Sequence, residues 1–216
     1  IGITHIFASH TTHNDYILEE KYNIKIIPFP LYPVNYNKKS EIEKTNKYLF
    51  SFIGSYSTYY ITDIRQRLCI FKNFPECYVK IKNKWYFYDE VYSNQIFKKK
   101  KFIDNKLEEE IFSELLLNSK FSLCPGGSGP NSIRLWESLS YGCIPVILSN
   151  EHKLPNFINW NDFCILYNDR DIDHLYEYLN SFSEGKIDLM KKKCIKIFFS
   201  YFSKDNFNKT IDIYFN

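Results

Sequence analysis

In the stretch FSLCPGGSGPNSIRLWESLSYGCIPVIL (Phe121–Leu148), Gly126, Gly127 and Gly129 fall in a loop, and Arg134 and Glu137 follow at helical spacing. Glycine permits positive φ and lets backbone amides come close to an anion. The amides opening the next helix point at the same place, so a phosphate is the natural occupant. Arginine supplies a fork of donors suited to diphosphate oxygens. Glutamate can accept two hydrogen bonds, which suits the paired hydroxyls of a ribose. Projection at about 100° per residue turns Ile133, Leu135, Trp136 and Leu139 to a core and Arg134, Glu137, Ser138 and Tyr141 to a polar stripe. The same i, i+3 spacing also describes a surface ion pair worth a few tenths of a kcal/mol. The residues favour a nucleotide site and leave that alternative open.

The elements that must hold this segment follow from periodicity. Short strands are expected at Thr4–Ala8, Ile24–Phe29, Tyr48–Ile53, Cys77–Ile81, Phe121–Cys124, Ile144–Leu148 and Phe163–Leu166. Helices are expected at 62–71 with Thr62 as cap, Leu107–Asn118, Ser132–Tyr141, Ile172–Phe182 and from Lys186 onward. Alternation of the two argues for a parallel α/β sheet. Three prolines between Pro28 and Pro33 read as a linker. We therefore expect an N-terminal unit over 1–46 and a second, ligand-binding unit over 47–216. The chain opens on Ile1 within a strand pattern, which reads as an N-terminal domain cut short.

The 216 residues are 44% hydrophobic, 25% charged and 19% aromatic, with net charge +3. That charge is too small to argue for nucleic acid, and no stacking sheet or groove-reading helix is visible. The run Lys98–Lys101 and the alternation Lys80, Lys82, Lys84 read as solvated edges. The six cysteines show no metal spacing, and most read as small buried hydrophobes in a reducing compartment. No apolar run reaches the ~20 residues of a membrane span. A cytoplasmic enzyme is the simplest expectation; peripheral membrane association or a Golgi-type location would follow if a targeting segment precedes Ile1.

SKFSLCPGG (Ser119–Gly127), SIRLWESLSYGCIPVIL (Ser132–Leu148) and LPNFINW (Leu154–Trp160) resemble the C-terminal part of exostosin-type glycosyltransferases. IIPFPLYPVN, YLFSFIGS and DIRQRL agree in order, and THIFASHTTHND resembles the end of that family's aspartate-histidine strand motif. The resemblance implies two Rossmann-like domains in a GT-B-like arrangement. It also implies an inverting enzyme that moves a sugar from a nucleotide sugar, UDP-linked, to a glycan or polysaccharide acceptor. Donor contacts would come from Gly126, Gly127, Ser128, Ser132, Arg134, Glu137 and Arg65, with no cofactor and no Asp-x-Asp metal site. Many relatives carry an arginine where this chain has Gly126.

Without a metal, Arg134, Arg65, the loop amides and the helix start must stabilise the leaving diphosphate. A base should come from across the cleft. His10, His13 and Asp15 are the clustered candidates, and each also has a purely structural reading. Asp171 and Asp173 stand at Asp-x-Asp spacing but open a helix, where carboxylates serve cap and dipole. Trp160 reads as packing. A non-catalytic module that binds a nucleotide sugar is the main rival; a basic nucleic-acid-binding domain is the more distant one.

Overall fold

Near-continuous apolar runs separated by amphipathic helices make parallel strands buried on both faces. The computed structural model describes residues 2–38, 46–84 and 106–215, and it contains two such sheets. The first pairs β1 (His5–Ala8) with β2 (Lys25–Pro28) in parallel, joined through helix α1 (Tyr16–Tyr22). Pro28 is the last paired residue of its strand, and the Phe29 amide just beyond it donates to the Ala8 carbonyl at 2.9 Å. The run Lys98–Lys101 lies outside the described residues.

The second sheet holds β3 (Tyr48–Ser55), β4 (Cys77–Lys82), β5 (Ser119–Pro125), β6 (Ile144–Leu148) and β7 (Ile165–Leu166). Their order is β4-β3-β5-β6-β7, and every neighbouring pair is parallel. Phe50, Phe121, Leu123, Ile144 and Val146 share one face and are 0% exposed, while Ser51, Ser122 and Ile147 on the other are 3%, 0% and 4% exposed, so both faces are covered. Helices α2 (Ile64–Arg67), α3 (Lys106–Leu117), α4 (Ile133–Ser140), α5 (Leu175–Asn180), α6 (Glu184–Ile197) and α7 (Lys209–Asp212) complete the order. Among the described residues no helix is long and apolar enough to cross a membrane.

Several local expectations need correction. The 62–71 segment is one turn of α-helix followed by a 3-10 turn, Leu68–Asn73; Asp63 holds the N-cap position and makes no side-chain cap bond. The Thr62 hydroxyl is buried without a partner, so it does not cap. Ile172 belongs to a 3-10 turn, Asp169–His174, capped by Asn168 rather than by Asp171 or Asp173. Phe163 and Cys164 are buried in the core yet stand before the ladder of β7. An apolar run specifies burial, and only hydrogen bonding makes it a strand.

The largest correction concerns α4, whose polar stripe is not at the surface. Glu137, Ser138 and Tyr141 are 3%, 0% and 6% exposed. Residues following the first sheet lie across them. The Asn35 amide donates to Glu137 Oε1 at 2.9 Å, and the Asn37 amide donates to Ser140 Oγ at 3.0 Å. On its other side the helix buries Trp136, which meets Phe202 at 5.0 Å and Trp160 at 5.6 Å between ring centroids. Trp160 is thus a packing residue, 6% exposed. The helix stops at Tyr141 because Gly142 adopts φ 56, a left-handed conformation that releases the chain into β6.

The tail returns to the first sheet. Phe207 packs edge-on against Phe29 at 5.4 Å, and Tyr214 and Phe215 each approach Phe7 to 5.9 Å. The sequence reading did not include this contact.

Trp136→Ala is expected to cost about 3–5 kcal/mol in urea denaturation. Gly142→Ala is expected to cost about 1 kcal/mol through its positive φ. A loss under about 1 kcal/mol for the tryptophan would mean that this aromatic group is not the centre of the core.

Candidate functional site

The carboxyl ends of β3 and β4, the loop after β5 and the start of α4 enclose a cavity of about 330 Å³. Ligands in open α/β sheets bind at such strand ends. His10, Arg65, Gly127, Ser128, Ser132, Arg134 and Glu137 all line it. The structure therefore brings together most of the residues singled out by sequence. Gly126 stands just behind, its carbonyl accepting from Arg65 Nε at 2.8 Å. His13 opens instead onto a second cavity, beside His152. Asp15 lines neither; it accepts from the Thr12 amide at 3.0 Å and the Thr12 hydroxyl at 2.9 Å.

The glycine loop works differently from the expectation. None of Gly126, Gly127 and Gly129 has positive φ; Gly142 is where that freedom is used. What the loop needs is the missing side chain. A Cβ on Gly127 would lie 2.7 Å from Arg65 Nη2, and one on Gly129 would lie 2.3 Å from His10 Nδ1. The Gly126 amide donates to the Leu148 carbonyl and the Gly127 amide to that of Gly129. Those two amides are turned to protein, which leaves the first turn of α4 as the source of backbone donors. Ser132 holds its N-cap position, but its hydroxyl makes no cap bond.

The two arginines have opposite bonding. Arg65 is a clamp: besides Gly126, it donates to the Ser55 carbonyl at 3.0 Å and to the Pro125 carbonyl at 3.4 Å. It thus fastens the ends of β3 and β5 to each other while stacking on Tyr60 at 5.0 Å. Arg134 donates to the Ile53 carbonyl through Nη2 and lies 4.5 Å over the Phe52 ring. Its Nε and Nη1 are buried with no partner. Buried donors without acceptors are costly, about 1–3 kcal/mol each and more when charged. No ion pair joins Arg134 to Glu137 among the described residues.

Burial governs the protonation of these groups. It pushes the Arg134 guanidinium down to about 10, which still leaves it charged at neutral pH. Burial pushes the Glu137 carboxyl up to about 7, against the opposing pull of the Asn35 amide and Arg134. The buried His152 ring is pushed down to about 4, by burial first and by His10 and His13 second. His10 also lies below its ordinary value through burial. Cys124 is inert, its thiol raised to about 12 by enclosure.

Sequence reasoning missed Asn131, which joins the site to the first sheet. Its Nδ2 donates to the Ser9 carbonyl at 2.7 Å, and its Oδ1 accepts from the Trp136 indole at 3.0 Å. It also missed the cavity's outer edge, where Lys82 pairs with Glu108 at 2.8 Å. Partners this far apart in sequence carry no local pairing signal.

The Glu137 environment has a measurable consequence. A carboxyl raised in the folded state loses stability as pH rises from its unfolded value, about 4.5, through its folded value, about 7. His152 acts oppositely over roughly pH 4 to 6.5, where stability rises with pH. Glu137→Gln retains the acceptor for Asn35 and removes the first effect. Its stability advantage over wild type should be near zero at pH 4.5, grow to about 3 kcal/mol by pH 7 and then level off. A difference that stays flat across this range in urea melts would contradict the assignment.

The Exostosin GT47 domain model matches residues 3–182. Exostosin-1 homolog from Caenorhabditis elegans is 34% identical over 92 residues, 42% of this chain and 24% of that protein. Exostosin-1 from Bos taurus is 30% identical over 102 residues, 46% of this chain and 14% of that protein. The matched region thus takes up a quarter or less of these relatives' length. Among solved structures, TarM superposes with TM-score 0.51 at 10% identity over 98% of this chain and 50% of TarM. An alpha-glucosyltransferase in complex with UDP and a 13-mer DNA gives TM-score 0.50 at 15% identity, over all of this chain and 66% of that one. Identities this low bear on the fold alone, and that fold is GT-B. With the family's match extending from the first strand through α5, this chain is a member of the exostosin GT47 family.

Proposed function

We propose that this chain holds the sugar-nucleotide site of an inverting glycosyltransferase that acts on a glycan or polysaccharide acceptor. The observation that carries the reading is the Arg134 guanidinium, buried in the cavity wall with Nε and Nη1 unpartnered. A diphosphate would supply the acceptors that the protein withholds. Arg65 lends a second positive charge while it fixes the loop. Uridine is the base suggested by family resemblance.

In such a transfer negative charge grows on the diphosphate as the anomeric bond breaks. Preorganised donors in an enclosed site stabilise that charge without reorganising. Arg134, the first-turn amides of α4 and the field of Arg65 occupy the positions for this work. Glu137 lies further along the same helix face and lines the cavity, where a ribose would share its carboxylate with the Asn35 and Val34 backbone. Asp171 and Asp173 lie beyond β7, away from the cavity lining. We therefore propose a reaction that needs no divalent cation.

Arg134→Ala is expected to weaken UDP binding by about 1.5–3 kcal/mol in calorimetry and to leave uridine binding nearly unchanged. Equal losses for the two ligands would remove the diphosphate role. UDP affinity is also expected to survive EDTA and to change less than about threefold on adding manganese, well under 1 kcal/mol. A strict manganese requirement would overturn the metal-free mechanism.

A further inference from the structure

Three residues after β1 compete for the role of proton acceptor, and the structure separates them. Asp15 spends its carboxylate on Thr12, within the short turn His13–Asp15. His13 faces the second cavity. His10 alone of the three lines the cavity that holds Arg134. It stands two residues past the carboxyl end of β1, on the opposite sheet from the glycine loop. Its ring rests so close to Gly129 that any side chain there would collide with it. The adjoining carbonyl of Ser9 is held by Asn131, itself anchored to Trp136 in the core. The ring thus rests against the loop at the edge of the site, and the backbone beside it is tied to the core.

We propose that His10 is the general base of the transfer, an assignment that rests on the glycosyltransferase reading above. A ring nitrogen takes the proton of the acceptor hydroxyl while that oxygen bonds to the anomeric carbon. The bond from that carbon to the diphosphate breaks, and its electron pair leaves on the diphosphate oxygen toward Arg134. The carbon inverts, and the proton stays on His10 until solvent removes it. Partial desolvation lowers the imidazole below its ordinary value, which favours the neutral state that can accept a proton. Gly129 then has a stated task, which is to leave room for the ring.

The charged and titratable groups around the ring are Arg65, Arg134, Lys82, Lys84, Glu108 and Glu137 in the cavity wall, with His152 behind. The test uses the whole chain with UDP and with a panel of UDP-sugars, following UDP release to added glycans or to water. His10→Ala should lower turnover by about 10²–10⁴-fold. Its UDP dissociation constant should stay within about threefold, a change of well under 1 kcal/mol. His13→Ala should match wild type, and Gly129→Ala should resemble His10→Ala by displacing the ring. Wild-type turnover in His10→Ala, with UDP still bound, overturns this proposal and leaves the donor site standing. Absence of UDP binding to wild type overturns the donor site as well. A second readout does not depend on turnover: the His10 ring signals in NMR should move on adding UDP and show a neutral ring at pH 7.5. A His10 that is protonated there, or insensitive to UDP, overturns the assignment whether or not a productive acceptor has been found.

Discussion

Two guanidinium groups buried in one cavity set the terms for everything around them. Arg65 and Arg134 repel each other, and each is desolvated. Removing a charge from water costs several kcal/mol unless partners replace the lost hydration. Arg65 finds them in carbonyl groups at the ends of β3 and β5. Arg134 finds one, at Ile53, together with the faces of Phe52 and Phe112. The residual imbalance is positive and directed, and it selects for a ligand with several closely spaced anionic oxygens.

Each neighbouring feature can be understood as a response to that imbalance. Parallel strands end at one edge, so their last carbonyls converge where Arg65 can reach several of them. The loop after β5 lacks side chains where Arg65 and His10 must pass. The segment after the first sheet covers α4 and takes one oxygen of Glu137 through Asn35, which ties the first sheet's exit to the same helix that bears Arg134. Burial and backbone bonding oppose each other at this carboxyl, which leaves it near neutrality and able to gain or lose a proton as its surroundings change.

Much of this was legible in the sequence, and the missing parts share a cause. Ile144–Leu148 reads as a strand because its apolar run is continuous and short, and the ladder spans those same residues. Arg134 reads as an anion ligand because glycine loop, helix start and arginine occur in that order. Glu137, by contrast, reads as exposed, since periodicity knows only its own helix and the residue that covers it lies 102 positions earlier. The glycines announce that a side chain is forbidden but not whether torsion or proximity forbids it. Proximity depends on Arg65 and His10, which arrive from distant segments. The inverse also holds for Arg65, where resemblance suggested a ligand contact and geometry shows its fork committed to the backbone.

The tail that closes on β1 and β2 bears on how the chain is made. A two-stranded sheet with one short helix has too little apolar surface to stand alone. Here Phe7 and Phe29 find their cover in Phe207, Tyr214 and Phe215. On the ribosome β1 and β2 therefore emerge long before Phe207, Tyr214 and Phe215, the residues that cover their aromatic side. Until then the larger sheet can form around β3, β5 and β6, while Phe7 and Phe29 lack that cover. For these two strands synthesis and packing are far apart, and that interval is when a chaperone would find its target.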